Sequence, residues 1–184
     1  MNRLAARLGA GLSALSLLAA AGSALAAPTV NVTVGEELAK KSKHYGARDV
    51  ELIRADLQRT VERALARKNA VQPASVDLVL ENAVPNRPTF EQLSRRPGLS
   101  FWSVGVGGAK ITGTITEADG AVRPVRYQWY QNDIRQEIGA STWTDAYRAF
   151  YILADRVAKG RPVDKLGPGG SSDGLFGSFN GRYF

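Results

Sequence analysis

The sequence predicts an α+β fold: a two-layer sandwich in which a mainly antiparallel sheet carries two long helices on one face, in the order β-α-β-(short α)-β-β-β-α. Two stretches, opening at Asp49 and at Thr142, place apolar residues at helical spacing. Five shorter stretches alternate apolar and polar residues with the period of a strand that buries one face. The last two strands are joined by Ala118-Asp119-Gly120, a connection too short for anything but antiparallel pairing.

In chain order, Val30, Val32 and Val34 alternate with Asn31 and Thr33 as the first strand, and Lys40 to Gly46 reads as a polar connector. From Asp49, an N-cap residue type, Val50, Ile53, Leu57, Val61, Ala64 and Leu65 share one face of a helix that runs to about Asn69, ahead of Pro73. Arg54, Gln58, Arg59, Glu62 and Arg63 occupy its other side. Val76, Leu78 and Leu80 alternate with Asp77 and Glu81 as the second strand, which enters the turn Pro85-Asn86-Arg87-Pro88. Thr89 caps a short helix through Arg95, stopped by Pro97-Gly98. Trp102, Val104 and Val106 read as a third strand, closed by a bulge or tight turn at Gly107-Gly108.

Facing side chains decide the register of the hairpin that follows. Ile111 and Ile115 belong on the buried face with Val125, Tyr127 and Trp129, all odd-numbered, so a two-residue turn fails because it sets odd against even. A three-residue loop with Gly120 left-handed puts Glu117 opposite Ala121, Ala109 opposite Trp129 and Ile111 opposite Tyr127. Thr112, Thr114, Arg126, Gln128 and Tyr130 then face outward. The last helix is expected to be capped by Thr142, with Asp145 at its positive end and Trp143, Ala146, Phe150, Leu153 and Val157 among its apolar stripe, and to stop near Lys159-Gly160.

Ahead of these elements, Arg3 and Arg7, an uncharged run from Leu8, and Ala24-Leu25-Ala26 form a cleavable export signal. The glycines and serines that dilute the run argue against an uncleaved membrane anchor. The chain therefore divides into a signal peptide (1–26), a sandwich domain (27–165) and a flexible glycine-, serine- and aromatic-rich tail (166–184). Cysteine is absent, so disulfides, thiolate metal sites and a lipid-bearing cysteine are excluded. Loss of Arg3 and Arg7 with the signal leaves 22 basic against 17 acidic residues, a formal charge of +5 in place of +7. This excess suits anionic surfaces such as lipid headgroups, yet it equally serves plain solubility, and no nucleic-acid site is expected from the scattered basic residues.

No residue pattern assigns a catalytic, cofactor-binding or metal role. His44, the single histidine, lies in the polar connector without companion ligands. Gly105 to Lys110 fails as a phosphate loop, since Lys110 takes the place of the third glycine and a strand follows. Carboxylate catalysis needs two acids in one pocket, and Asp133, Glu137 and Asp145 are the acids grouped around a loop and a helix start. Asp145 reads as a helix-end residue, and Asp133 and Glu137 as solvated loop charges.

The export signal, Gly107-Gly108-Ala109, the Asp119-Gly120 hairpin and Thr142-Trp143-Thr144-Asp145-Ala146 together resemble a group of uncharacterised Gram-negative envelope proteins, over most of residues 30–159. That resemblance implies a small α/β sandwich and no assigned reaction; many such relatives are lipoproteins, from which this chain departs by lacking the cysteine. The expectation is a non-enzymatic, non-lipidated periplasmic protein that binds a protein partner or envelope component. Its binding surface is expected on the outer sheet face, at Thr112, Thr114, Arg126, Gln128 and Tyr130, or on the tail. The alternatives are a small hydrolase with an acidic site near Asp133 and Asp145, and a carrier of an apolar ligand held between sheet and helices.

Overall fold

The computed structural model describes residues 27–163. The signal segment, the tail and the last two residues of the domain as drawn from sequence lie outside the described residues. Among the described residues the fold is α+β. Strand β1 (Thr29–Val34) leads into helices α1 (Glu36–Tyr45) and α2 (Ala47–Leu65) before β2 (Ser75–Val84), and helix α3 (Phe90–Arg95) precedes β3 (Gly108–Thr116). Strand β4 (Val122–Tyr130), a 3-10 turn over Ile134–Glu137 and helix α4 (Thr144–Ala158) complete it.

The sheet is mixed and four-stranded, in the order β1-β2-β3-β4. β1 runs parallel to β2, because the α1–α2 connection is long enough to carry the chain back to the same end of the sheet. The other two pairings are antiparallel. The β3–β4 hairpin has the register that face-matching requires: Ala109 lies opposite Trp129 and Ile111 opposite Tyr127, the Glu117 amide donates to the Ala121 carbonyl at 2.8 Å, and Gly120 has φ +86°. α2 and α4 pack on each other and on one sheet face. Their fully buried Ile53, Leu57, Phe150 and Leu153 meet Leu78, Leu80, Ile111 and Ile115 from the strands, each contributing on the order of 1.5–3 kcal/mol by leaving water.

Four expectations need correction. The stretch with Trp102, Val104 and Val106 is a loop: the side chains of Ser100 and Ser103 accept the Trp102 and Ser100 amides at 3.2 and 3.1 Å, local bonds that compete with a ladder. Lys40 to Tyr45 belongs to α1, with Gly46 as its C-cap, and Glu36–Lys40 and Glu37–Lys41 pair there one turn apart in the acid-first order that suits the helix dipole. The bulge sits in β2 between Leu80 and Asn82. Gly107 and Gly108 instead permit close approach: a Cβ at Gly107 would lie 2.7 Å from the Val84 carbonyl oxygen, and one at Gly108 2.3 Å from that of Trp129. Finally, neither Asp49 nor Thr142 is a cap, since α2 starts after Gly46, with Asp49 in its first turn, and α4 after Trp143.

Candidate functional site

The C-terminal ends of β2 and β4 and the N-terminal end of β3 come together at one end of the sheet, where two loops, 97–107 and 131–143, are anchored on the turn after β2. Asn86 in that turn is buried and uses all of its polar atoms. Its backbone amide donates to the Thr142 carbonyl at 2.7 Å and its carbonyl accepts from the Gly105 amide at 2.8 Å. Its side-chain Oδ1 accepts the Asp145 amide at 2.9 Å, while Nδ2 donates to Glu137 Oε2 at 2.8 Å and to Asp145 Oδ2.

Glu137 and Asp145 are both fully buried and share the Arg148 guanidinium, which donates at 3.1 and 2.9 Å. The Gly107 amide adds a bond to Asp145 at 3.0 Å, so each of the four carboxylate oxygens has a donor. Two carboxylates against one cation leave the cluster an excess negative charge. Burial, and then the charge of Asp145, push the Glu137 carboxyl above the ordinary glutamate range against the pull of Arg148.

Arg87 extends the anchoring outward. Its Nε donates to the Ala140 carbonyl, its Nη1 to that of Phe101 at 2.8 Å and its Nη2 to that of Ile138 at 2.9 Å, so one planar group holds both loops. What the loops display is apolar: Trp102 is 86% exposed, Ile138 79% and Phe101 62%, and Phe90 at the start of α3 is 75% exposed. Phe90 and Phe101 meet edge to face at 5.8 Å, and Trp102 follows directly. Beside them an open cleft of about 220 Å³ is lined by Asn86, Arg87, Gln92, Arg96 and Ser103.

The outward-facing set from sequence lies on the sheet face away from α2 and α4. Thr114 and Arg126 are exposed, and Thr112, Gln128 and Tyr130 partly buried. Thr112 Oγ1 donates to Glu81 at 2.7 Å, Tyr130 Oη accepts from Asn82 at 3.1 Å, and the Arg126 amide donates to the Val163 carbonyl at 2.7 Å. Asp133 caps the 3-10 turn and pairs with Arg135 at the surface, whereas Asp145 is inside. Glu137 is therefore not a solvated loop charge, and Asp145, in the first turn of α4 as expected, is buried there; the acids brought together are Glu137 and Asp145. His44 is exposed on α1.

Sequence reasoning passed over Asn86, Arg87 and Arg148. The only signal for the first two was a proline-flanked polar pair, which reads as a turn. Tyr127, Trp143 and Phe150 are core residues, and Trp129 packs at its rim. No helix among the described residues is long and apolar enough to cross a membrane. Comparisons of the chain with protein-family models, with curated proteins and with solved structures each find no match.

Proposed function

We propose that this protein is a non-enzymatic binding module of the cell envelope, exported by its N-terminal signal, that engages an envelope component through the apolar loop end of the sheet. The observation that carries this reading is the exposure of Phe101, Trp102 and Ile138 on loops pinned to a buried polar cluster, with Phe90 of α3 exposed beside them. Large apolar side chains left in water on a preorganised base contribute little to folding and lower the ordering cost of an interface. The polar outer sheet face offers hydrogen-bonding groups but little apolar area, so the loop end is the favoured contact.

The hydrolase alternative is disfavoured by the same cluster. Asp145 is enclosed with Glu137 and both of its carboxylate oxygens already accept bonds from the protein, while Asp133 caps the 3-10 turn and is paired with Arg135, so the two named acids are not held together for a substrate. Replacing Trp102 or Gln128 singly by a photoreactive phenylalanine analogue in living cells tests the reading. Adducts are expected from position 102 and not from 128; adducts from 128 alone, or from neither, would overturn it.

A further inference from the structure

Resting on that reading of the loop end, we propose that its partner is an anionic phospholipid surface: Phe101, Trp102 and Ile138 enter the headgroup region while Arg96 and Arg87 meet lipid phosphates at the neighbouring cleft. Three observations converge on this. The apolar side chains of the loops stand in solvent, and tryptophan leads them with 86% of its surface in water. An amphipathic indole is the side chain best suited to the boundary between acyl chains and headgroups.

The second observation is charge. On these loops, α3 and the turn that precedes it, four arginines (Arg87, Arg95, Arg96 and Arg135) face two carboxylates, and Glu91 and Asp133 are already paired with Arg95 and Arg135. Arg96 has no carboxylate partner among the described residues, and Arg87 bonds only to backbone carbonyls, so neither charge is neutralised. The third is the cleft itself, which places these two arginines with Gln92 and Ser103 directly beside the aromatic loop. Arginine donates in a geometry matched to phosphate oxygens. A protein partner with an acidic rim is the competing occupant, and the vesicle experiment below separates the two.

The test sediments the chain, as recovered from the cells that export it, with vesicles of phosphatidylglycerol in phosphatidylcholine and with vesicles of phosphatidylcholine alone. Both chain ends are common to all variants, so their contribution cancels in the comparison. Binding is expected with the anionic vesicles, together with a blue shift of tryptophan emission. Phe101→Ala with Trp102→Ala should abolish it, and Arg96→Ala should weaken it about fivefold, on a scale of roughly 1 kcal/mol per basic residue at an anionic surface. Trp102 and Arg96 are exposed, so Trp102→Ala and Arg96→Ala alone should melt with the parent, while the double variant also loses the Phe90–Phe101 ring contact and should still unfold in one cooperative transition. Absence of binding to anionic vesicles, or full binding by the Phe101/Trp102 double variant, would overturn the lipid assignment. A protein adduct from position 102 in cells alongside such a failure would leave the binding end intact with a different partner; no adduct of any kind from 102 would sink both.

Discussion

Asn86 holds two carboxylates, two loops and the first turn of α4 with a single side chain and its backbone, all shielded from water. Asn86→Ala strands the Asp145 amide and removes donors from two buried acids, and should lower the free energy of unfolding in urea by about 3 kcal/mol. Asn86→Asp should cost more, since a third carboxylate joins a cluster with one cation. Glu137 gives a pH signature whose sign follows from its raised folded-state pKa. Below the ordinary value of 4.5 the folded and unfolded chains both hold the proton, and the favourable contribution is fully present. As pH rises through the raised folded value that contribution is lost. Glu137→Gln should therefore flatten the decline in urea midpoint between pH 4.5 and neutrality; parallel curves for the two proteins would contradict the burial of this acid.

At the scale of elements, β2 and β3 approach so closely at Gly113 that a Cβ there would lie 2.1 Å from the Asp77 carbonyl oxygen, with φ at +146°. Gly113→Ala should cost at least about 2 kcal/mol, because both strand spacing and backbone strain oppose it. Gly139, with open space around its Cβ position, is the control: Gly139→Ala should stay within about 0.5 kcal/mol of the parent in the same urea titration. The helices differ in how plainly their residues announce them. α2 carries its buried stripe in sequence, whereas α1 has a single buried residue, Leu38, helped by Tyr45, which packs on the core and meets Trp143 edge to face at 5.7 Å. Periodicity detects the first kind of helix and misses the second.

For the molecule as a whole, α2 and α4 share one core with all four strands. Leu57→Ala, at a fully buried site, should cost about 3 kcal/mol and shift circular dichroism and fluorescence transitions together, as a single cooperative unit requires. Divergent midpoints would split the domain. The tryptophans report separate regions: Trp143 lies in the core, Trp129 at its rim and Trp102 in water. Trp102→Phe should therefore remove most of the iodide-quenchable emission while leaving stability unchanged.

Local pattern was enough to determine the two long helices, the strands β1, β2, β3 and β4, the Thr89 cap of α3 and the hairpin register, because each depends on neighbours a few residues apart or on a two-residue alternation that admits one facing. The outward set of Thr112, Thr114, Arg126, Gln128 and Tyr130 follows from that same alternation. Tertiary structure alone decided the parallel β1–β2 pairing and the candidate site. Asn86 and Asp145 are 59 positions apart and Asn86 and Glu137 51, and nothing in the composition around an asparagine in a turn or an acid in a loop distinguishes a solvated group from a buried one. Burial is a property of what folds over a residue. The same holds for Trp102, whose alternation with Val104 and Val106 matches a strand, yet whose segment is drawn off as a loop by the serine-capped turn and by the Gly105–Asn86 bond at 2.8 Å.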